Sequence, residues 1–242
     1  MKSFKLFFVV LSVLFLSSCT FTEELTFNQD GSGKYNLNMD MSAMTAMMGT
    51  TKDSAQAEAM EKKDTLINFK DLIKENKAEI DTMSEESKMV IESLENMKMR
   101  MQMDEAKGLF LVDMFIDFKK INEIQNINEV IAKAQSLQSE QLNEAPSNQK
   151  TTFEYTKKMF KRKVELIKLS SEDQKKFDEN KAQYAMFMAG SKYKLKYTFP
   201  KKIKKVNIKE AAISEDRKTV TYEVDFEKAL NDPKSLELEV KF

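Results

Sequence analysis

The chain has 242 residues, with 39 Lys+Arg against 39 Asp+Glu, no His, no Trp, one Cys, 17 Met and 17 Phe. Hydrophobic residues, at 41%, suffice for a packed core beneath a surface drawn from 32% charged residues. The lack of His excludes Ser-His-Asp, Cys-His and zinc-His chemistry, and zero net charge gives no overall field steering the chain to nucleic acid.

The first segment, MKSFKLFFVVLSVLFLSS, places Lys2 and Lys5 before an apolar run, Leu6 to Leu16, broken only by Ser12. That run is too short to span a bilayer and has the flanks of a secretory signal, so residues 1–18 are expected to be a signal peptide. Leu16-Ser17-Ser18-Cys19 then resembles the bacterial lipobox: an apolar residue, two small ones and a cysteine. The resemblance implies that Cys19 is the lipidation site, diacylglycerylated on sulfur and, after cleavage, acylated on its new amino group. Cys19 is the only cysteine, so acylation would also remove an otherwise unpaired exported thiol. Two or three acyl chains give stable attachment to membrane lipid without a transmembrane helix. Residue 20 is Thr rather than the Asp associated with inner-membrane retention, which by analogy points to the outer membrane. Glu23-Glu24 faintly resembles the acidic surface-export signals of some Bacteroidota.

Beyond the anchor, TEELTFN (22–28) leads into the turn Asn28-Gln29-Asp30-Gly31-Ser32-Gly33 and the alternating KYNLNMDM of Lys34 to Met41, a hairpin pattern. Folding is therefore expected to start within a few residues of Cys19. Ala43 to Met48 suggests a helical turn ending at Gly49, and Thr50 to Lys62 a loop or weak helix. Asp64 to Lys77 is compatible with strand or helix. Asp81 to Glu95 predicts a helix without a capping box, because Ser87 stands where an acid would answer Ser84. Met97, Met99, Met101 and Met103 alternate with polar residues, Glu105 to Gly108 is a turn, and Leu109 to Phe118 is a second strand. Apolar spacing from Ile121 to Leu137 predicts a helix over 121–139, closed by a polar stretch containing Pro146.

Strands are then expected at Thr151 to Thr156, Met159 to Lys168 and Tyr193 to Phe199, with a helix from Ser171 ending at Gly190 between the last two. Val206 to Ile213 and Lys218 to Phe226 read as a hairpin over Ser214 to Arg217, followed by a short helix at 227–231 and a strand at 236–242. The fold class is α+β, antiparallel β-hairpins with interspersed packing helices. One domain over residues 19–242 is expected, the alternative being two subdomains meeting near 142–150.

No chemistry-bearing constellation emerges. Thioethers suit Cu(I), but alternate residues on a strand lie roughly 6.5–7 Å apart and no His is present to complete a site, so the methionines are read as packing or lipid-facing residues. An adaptable ligand or protein groove is the further alternative. Asp113 and Asp117 are read as a solvent-facing stripe. No catalytic residue, metal site or cofactor is assigned. Basic runs at Lys157-Lys158, Lys161-Arg162-Lys163, Lys201-Lys202 and Lys204-Lys205, near Tyr155, Tyr193, Tyr197 and Phe199, are read as solvated strand faces, with phosphate head groups or anionic glycolipid as the alternative.

Leu25 to Tyr35, Tyr197-Thr198-Phe199-Pro200 and Asp216 to Tyr222 together resemble the pattern of LppM-type bacterial lipoproteins over about a third of the chain. That resemblance implies a membrane-associated α+β protein, with lipid or glycolipid binding proposed for the family. The expected function is a non-catalytic envelope lipoprotein binding lipid or another hydrophobic ligand. The alternative is a structural or assembly lipoprotein contacting a partner envelope protein. No nucleic-acid partner is expected.

Overall fold

The computed structural model describes residues 19–42, 62–125, 127–128, 130–131 and 147–242. The expected signal peptide, the helical turn at 43–49, most of the 50–62 segment and the 132–146 stretch lie outside the described residues. The architecture is α+β. It has an eight-stranded and a four-stranded sheet, in which all strand pairs but one are antiparallel.

Strands β1 (Thr20–Phe27) and β2 (Gly33–Asp40) form the expected hairpin. Its turn holds because Asp30 accepts from the Ser32 N–H and hydroxyl, and Gly31 takes φ 88°. Gly33 serves a different purpose, since a Cβ there would collide with the Thr26 carbonyl oxygen and lie 2.6 Å from the Phe118 ring. The ambiguous 64–77 segment contains both structures, β3 (Lys63–Asn68) and then α1 (Phe69–Glu75), with Asn68 capping the helix through the Lys70 N–H. A single turn, α2 (Lys77–Ile80), precedes α3 (Glu85–Ser93). That helix starts four residues later than Asp81, because Ser84 is extended and its hydroxyl caps the Ser87 N–H.

The methionine strand is β4 (Met97–Asp104), which returns through a 3-10 turn and Gly108 (φ 59°) into β5 (Leu109–Phe118), in register from Met97 opposite Ile116 to Asp104 opposite Leu109. The expected helix over 121–139 begins differently. Ile121–Ile124 is a 3-10 turn and Gln125 is extended, with helical residues only from 127 onward. The break has a physical cause: the Gln125 amide bonds both the Phe153 N–H (2.9 Å) and the Phe153 carbonyl (2.8 Å), occupying a sheet edge that would otherwise be unpaired.

The second half contributes β6 (Gln149–Tyr155), β7 (Met159–Leu166), α4 (Ser171–Phe187), β8 (Lys192–Thr198), β9 (Lys205–Val206), β10 (Ala212–Ile213), β11 (Thr219–Asp225), α5 (Phe226–Asn231) and β12 (Leu238–Lys241). The predicted strand 206–213 is not one strand. Val206 pairs with Val240 in the four-stranded sheet, whereas Ala212 and Ile213 pair with β11 in the eight-stranded one. The chain therefore crosses between sheets at 207–211. Sheet order is β10-β11-β8-β1-β2-β5-β4-β3 and β6-β7-β12-β9. The pairing of β1 with β8 is parallel and joins residues 20–26 to 192–198. The sheets share one core, in which Phe27 packs on Phe160 and Phe199, and Phe160 on Phe153 and Tyr197.

Candidate functional site

Two places on β1 concentrate the side chains that bear on function. At its start, Cys19 is buried and directly precedes Thr20, the first strand residue. Its carbonyl accepts from the Lys192 N–H (3.0 Å), so β8 holds the cysteine in place. Burial pushes the thiol above its ordinary range; Ser191 opposes that shift and Asp40 adds to it. Such a thiol is a poor free nucleophile.

Halfway along β1, Glu23 points between the sheets. It is 0% exposed, and its partner Arg162 on β7 is 3% exposed. The guanidinium grips both carboxylate oxygens, Nε to Oε1 at 3.1 Å and Nη2 to Oε2 at 3.0 Å, while Nη1 donates to the Leu236 carbonyl (3.3 Å). The Tyr197 hydroxyl donates to Oε1 (2.5 Å) and the Tyr193 hydroxyl to Oε2 (2.9 Å). Register explains the convergence, since Glu23 lies opposite Leu195 and the tyrosines flank it two residues either way on the same face. Each carboxylate oxygen thus receives two charge-assisted or hydroxyl hydrogen bonds.

Burial by itself would raise the Glu23 carboxyl, but Arg162 and the two tyrosine donors bring it below the usual range. Burial also lowers Arg162's tendency to hold its proton, yet Glu23 and the tyrosines keep it well above the ordinary arginine value. Tyr193 and Tyr197 are raised by burial first and by the Glu23 charge second. Tyr35, raised likewise by burial and then Glu23, donates to Asn128 Oδ1 (2.7 Å). No proton donor or acceptor in this cluster is left poised near neutrality. The arrangement can lock two sheets in register; it cannot shuttle a proton at neutral pH.

The structure revises the reading of three sequence features. Glu23-Glu24 is not an exposed acidic pair, for Glu23 is in the core and Glu24 pairs with Lys196 (3.1 Å). The run Lys161-Arg162-Lys163 is not a solvated face either. Arg162 points inward, Lys161 pairs with Glu239 (3.2 Å) and Lys163 with Glu154 (2.5 Å). Alternation of one charged residue inward between two outward is what a strand imposes on three consecutive cations. Asp117 is exposed as expected. Asp113 is half-buried instead, accepting from Asn38 (2.9 Å) and Asn36 (3.4 Å).

Among the described residues, the methionines of β2, β4 and β5 share one surface. Met39 on β2, Val112 on β5 and Met101 on β4 share one cross-strand row, and Leu37, Met114, Met99 and Ile67 the next. Met97 is fully buried in the core, whereas Met99, Met101 and Met103 are half-buried. A cavity of about 280 Å³ lies elsewhere, lined by Lys205, Val206, Asn207, Glu239 and Lys241 beside β9. Three of its five lining residues are charged, and its size falls just below the range of small-molecule sites. Among the described residues no group of three or more His, Cys, Asp or Glu side chains could hold a metal ion, and no helix is long and apolar enough to cross a membrane.

No protein-family model matches the chain, and a search of curated proteins finds no match. Among solved structures, the chain is similar to the folded domain of LppM from Mycobacterium tuberculosis, determined by NMR. The likeness has 7% sequence identity and a TM-score of 0.38, and covers 92% of this chain and 88% of that one.

Proposed function

We propose that this chain is an exported lipoprotein, anchored through acyl chains on Cys19 to a membrane of the cell envelope, the outer membrane being favoured by Thr20. Residues 19–242 act as one body, without catalysis, by contacting a partner envelope component. The observation that carries this reading is the filled centre of the sandwich. Where a lipid carrier would hold an acyl chain, Glu23 and Arg162 satisfy one another, and Phe27, Phe153, Phe160 and Phe199 interlock in the same core. An acyl chain entering there would separate a buried ion pair, at a cost of several kcal/mol per ion (about the effective desolvation penalty).

A second reading rests on a specific surface. The half-buried Met39, Met99 and Met101 give β2 and β4 a soft face that suits a hydrophobic ligand.

Mass spectrometry of the protein's amino-terminal peptide, taken from its own host, tests the anchor. The expected species begins at Cys19 and carries a diacylglyceryl group; an unmodified Cys19 or a Met1 start refutes it. Native mass spectrometry of the same gently extracted protein separates the two readings. A mass free of non-covalent lipid supports the partner-contacting role, and one reproducibly bound lipid per chain supports the methionine face.

A further inference from the structure

The two ends of β1 differ in charge. Cys19 lies at one end, and Phe27, eight residues and about 25 Å along the strand, lies at the other. Around Phe27 gather the turn between β6 and β7, the segment from Phe199 to Lys205, the turn at 214–217 and the last two residues. Phe27 packs tilted against Tyr155 (4.2 Å) and stacks on Phe199, and Phe199 meets Phe242 (4.9 Å). Backbone bonds tie the segments together: Phe242 N–H to the Lys158 carbonyl, Lys204 N–H to the Lys241 carbonyl and Phe199 N–H to the Lys218 carbonyl.

Seven exposed lysines crown this end, namely Lys157, Lys158, Lys201, Lys202, Lys204, Lys205 and Lys218. Among the described residues none of them has a side-chain carboxylate within ion-pair distance; Lys218 lies near enough to Asp216 to lower its carboxyl, and Lys201 and Lys204 donate to the Lys157 (2.8 Å) and Phe242 (3.1 Å) carbonyls. On the strands leading away from this end, by contrast, Lys161, Lys163, Lys192 and Lys196 are all paired with carboxylates. The acids within the turns at this end are Asp30, Glu215 and Asp216; Asp30 already accepts from the Ser32 N–H and hydroxyl, and Asp216 from the Ser214 hydroxyl and the Lys218 N–H. The surface is also stiff. Arg217, held at φ 59°, donates to the Ile203 and Lys204 carbonyls, while Phe199 and Ile203 are buried beneath it. A non-glycine residue in the left-handed region is a local strain that the surrounding bonds sustain.

We infer that this basic end binds a polyanionic envelope glycan, one carrying carboxylates along its chain. The cations are lysines, point charges without the bidentate geometry of arginine, and they suit a flexible polymer read by charge density. A protein partner fits less well, because protein interfaces are depleted in Lys and built around an apolar centre, and here the rings lie under the lysines. Head groups of the protein's own membrane lie at the wrong end of β1. That last step rests on the anchoring of Cys19 proposed above; the charge argument does not.

The test is titration of the purified full chain, acylated in detergent and as the non-acylated Cys19→Ser variant, with polygalacturonate, neutral dextran and phosphatidylglycerol vesicles. Both forms are expected to bind polygalacturonate and not dextran, with affinity falling as salt rises from about 50 to 200 mM. Lys157→Gln/Lys201→Gln/Lys202→Gln is expected to weaken binding by about tenfold or more. The equal charge change Lys70→Gln/Lys74→Gln/Lys77→Gln, on the exposed α1–α2 segment, is expected to leave it unchanged. Equal weakening by both triple variants, no binding to polygalacturonate, or tighter lysine-dependent binding to the vesicles overturns the inference. Because the Cys19→Ser chain is titrated too, failure of the glycan is distinguishable from failure of the anchor, which the amino-terminal mass reports separately.

Discussion

The eight-stranded sheet presents one alternating inner face, yet its two halves are built differently. Where β1 and β8 meet β7 of the other sheet, the face is made of rings and a fully hydrogen-bonded ion pair. On β4 and its neighbours the same face is paved with methionine, buried at Met97 and half-buried at Met99 to Met103. Rings and a bidentate pair have few alternative arrangements, whereas thioether chains have many. The same period-two pattern thus encodes a register-fixing half and an adaptable half, and substitutions should separate them.

The largest effect is expected at the ion pair. Arg162→Met leaves the Glu23 carboxylate buried without its counter-ion and should destabilise by about 3–5 kcal/mol, read from urea unfolding midpoints. The double variant Glu23→Met/Arg162→Met should recover most of that loss. Failure to recover would mean that the tyrosine hydroxyls, then without an acceptor, dominate the energetics. Along β4 the comparison sharpens within one strand. Met97→Ala should cost about 3 kcal/mol as a core truncation, while Met101→Ala should cost about 1 kcal/mol or less. Equal losses would show that the methionine half is packed as rigidly as the ring half. Gly33→Ala should cost about 2–3 kcal/mol, since the new Cβ meets the Thr26 carbonyl and the Phe118 ring.

Smaller effects should follow from single hydroxyls and from pH. Tyr35→Phe removes the donor to Asn128 and should cost about 1–2 kcal/mol. Glu23 has a lowered folded pKa, so its stabilisation is complete above the unfolded value near 4.3 and lost as pH falls through the folded one. Tyr35, Tyr193 and Tyr197 have raised folded values, so stability should fall as pH rises above about 10, where the unfolded tyrosines ionise. Urea midpoints across pH should show both limbs, and Tyr35→Phe/Tyr193→Phe should flatten the alkaline one.

The local pattern sufficed for much of the architecture. The Asp30-Gly31-Ser32 turn, the methionine hairpin and the Ser171 helix each arise from neighbours in sequence, through turn chemistry, period-two alternation and an acidic first turn. The start of the helix predicted from Ile121 and the strand predicted over 206–213 depart from the local pattern for a shared reason. Gln125 bonds to β6, 28 residues on, and Val206 bonds to β12, 34 residues on, and neither partner is visible in the local pattern.

What the sequence by itself determined is the lipobox-like Cys19, the α+β class and the period-two alternation of the strands, because each depends on residue type and spacing within a few positions. Only the tertiary structure decided which charges are inside. Glu23 and Arg162 are 139 residues apart, each sits among like charges, and neither looks buried until parallel pairing of β1 with β8 and packing against β7 bring carboxylate, guanidinium and two phenols together. Burying either alone would cost several kcal/mol, and that cost is offset only where the partner is delivered by the fold.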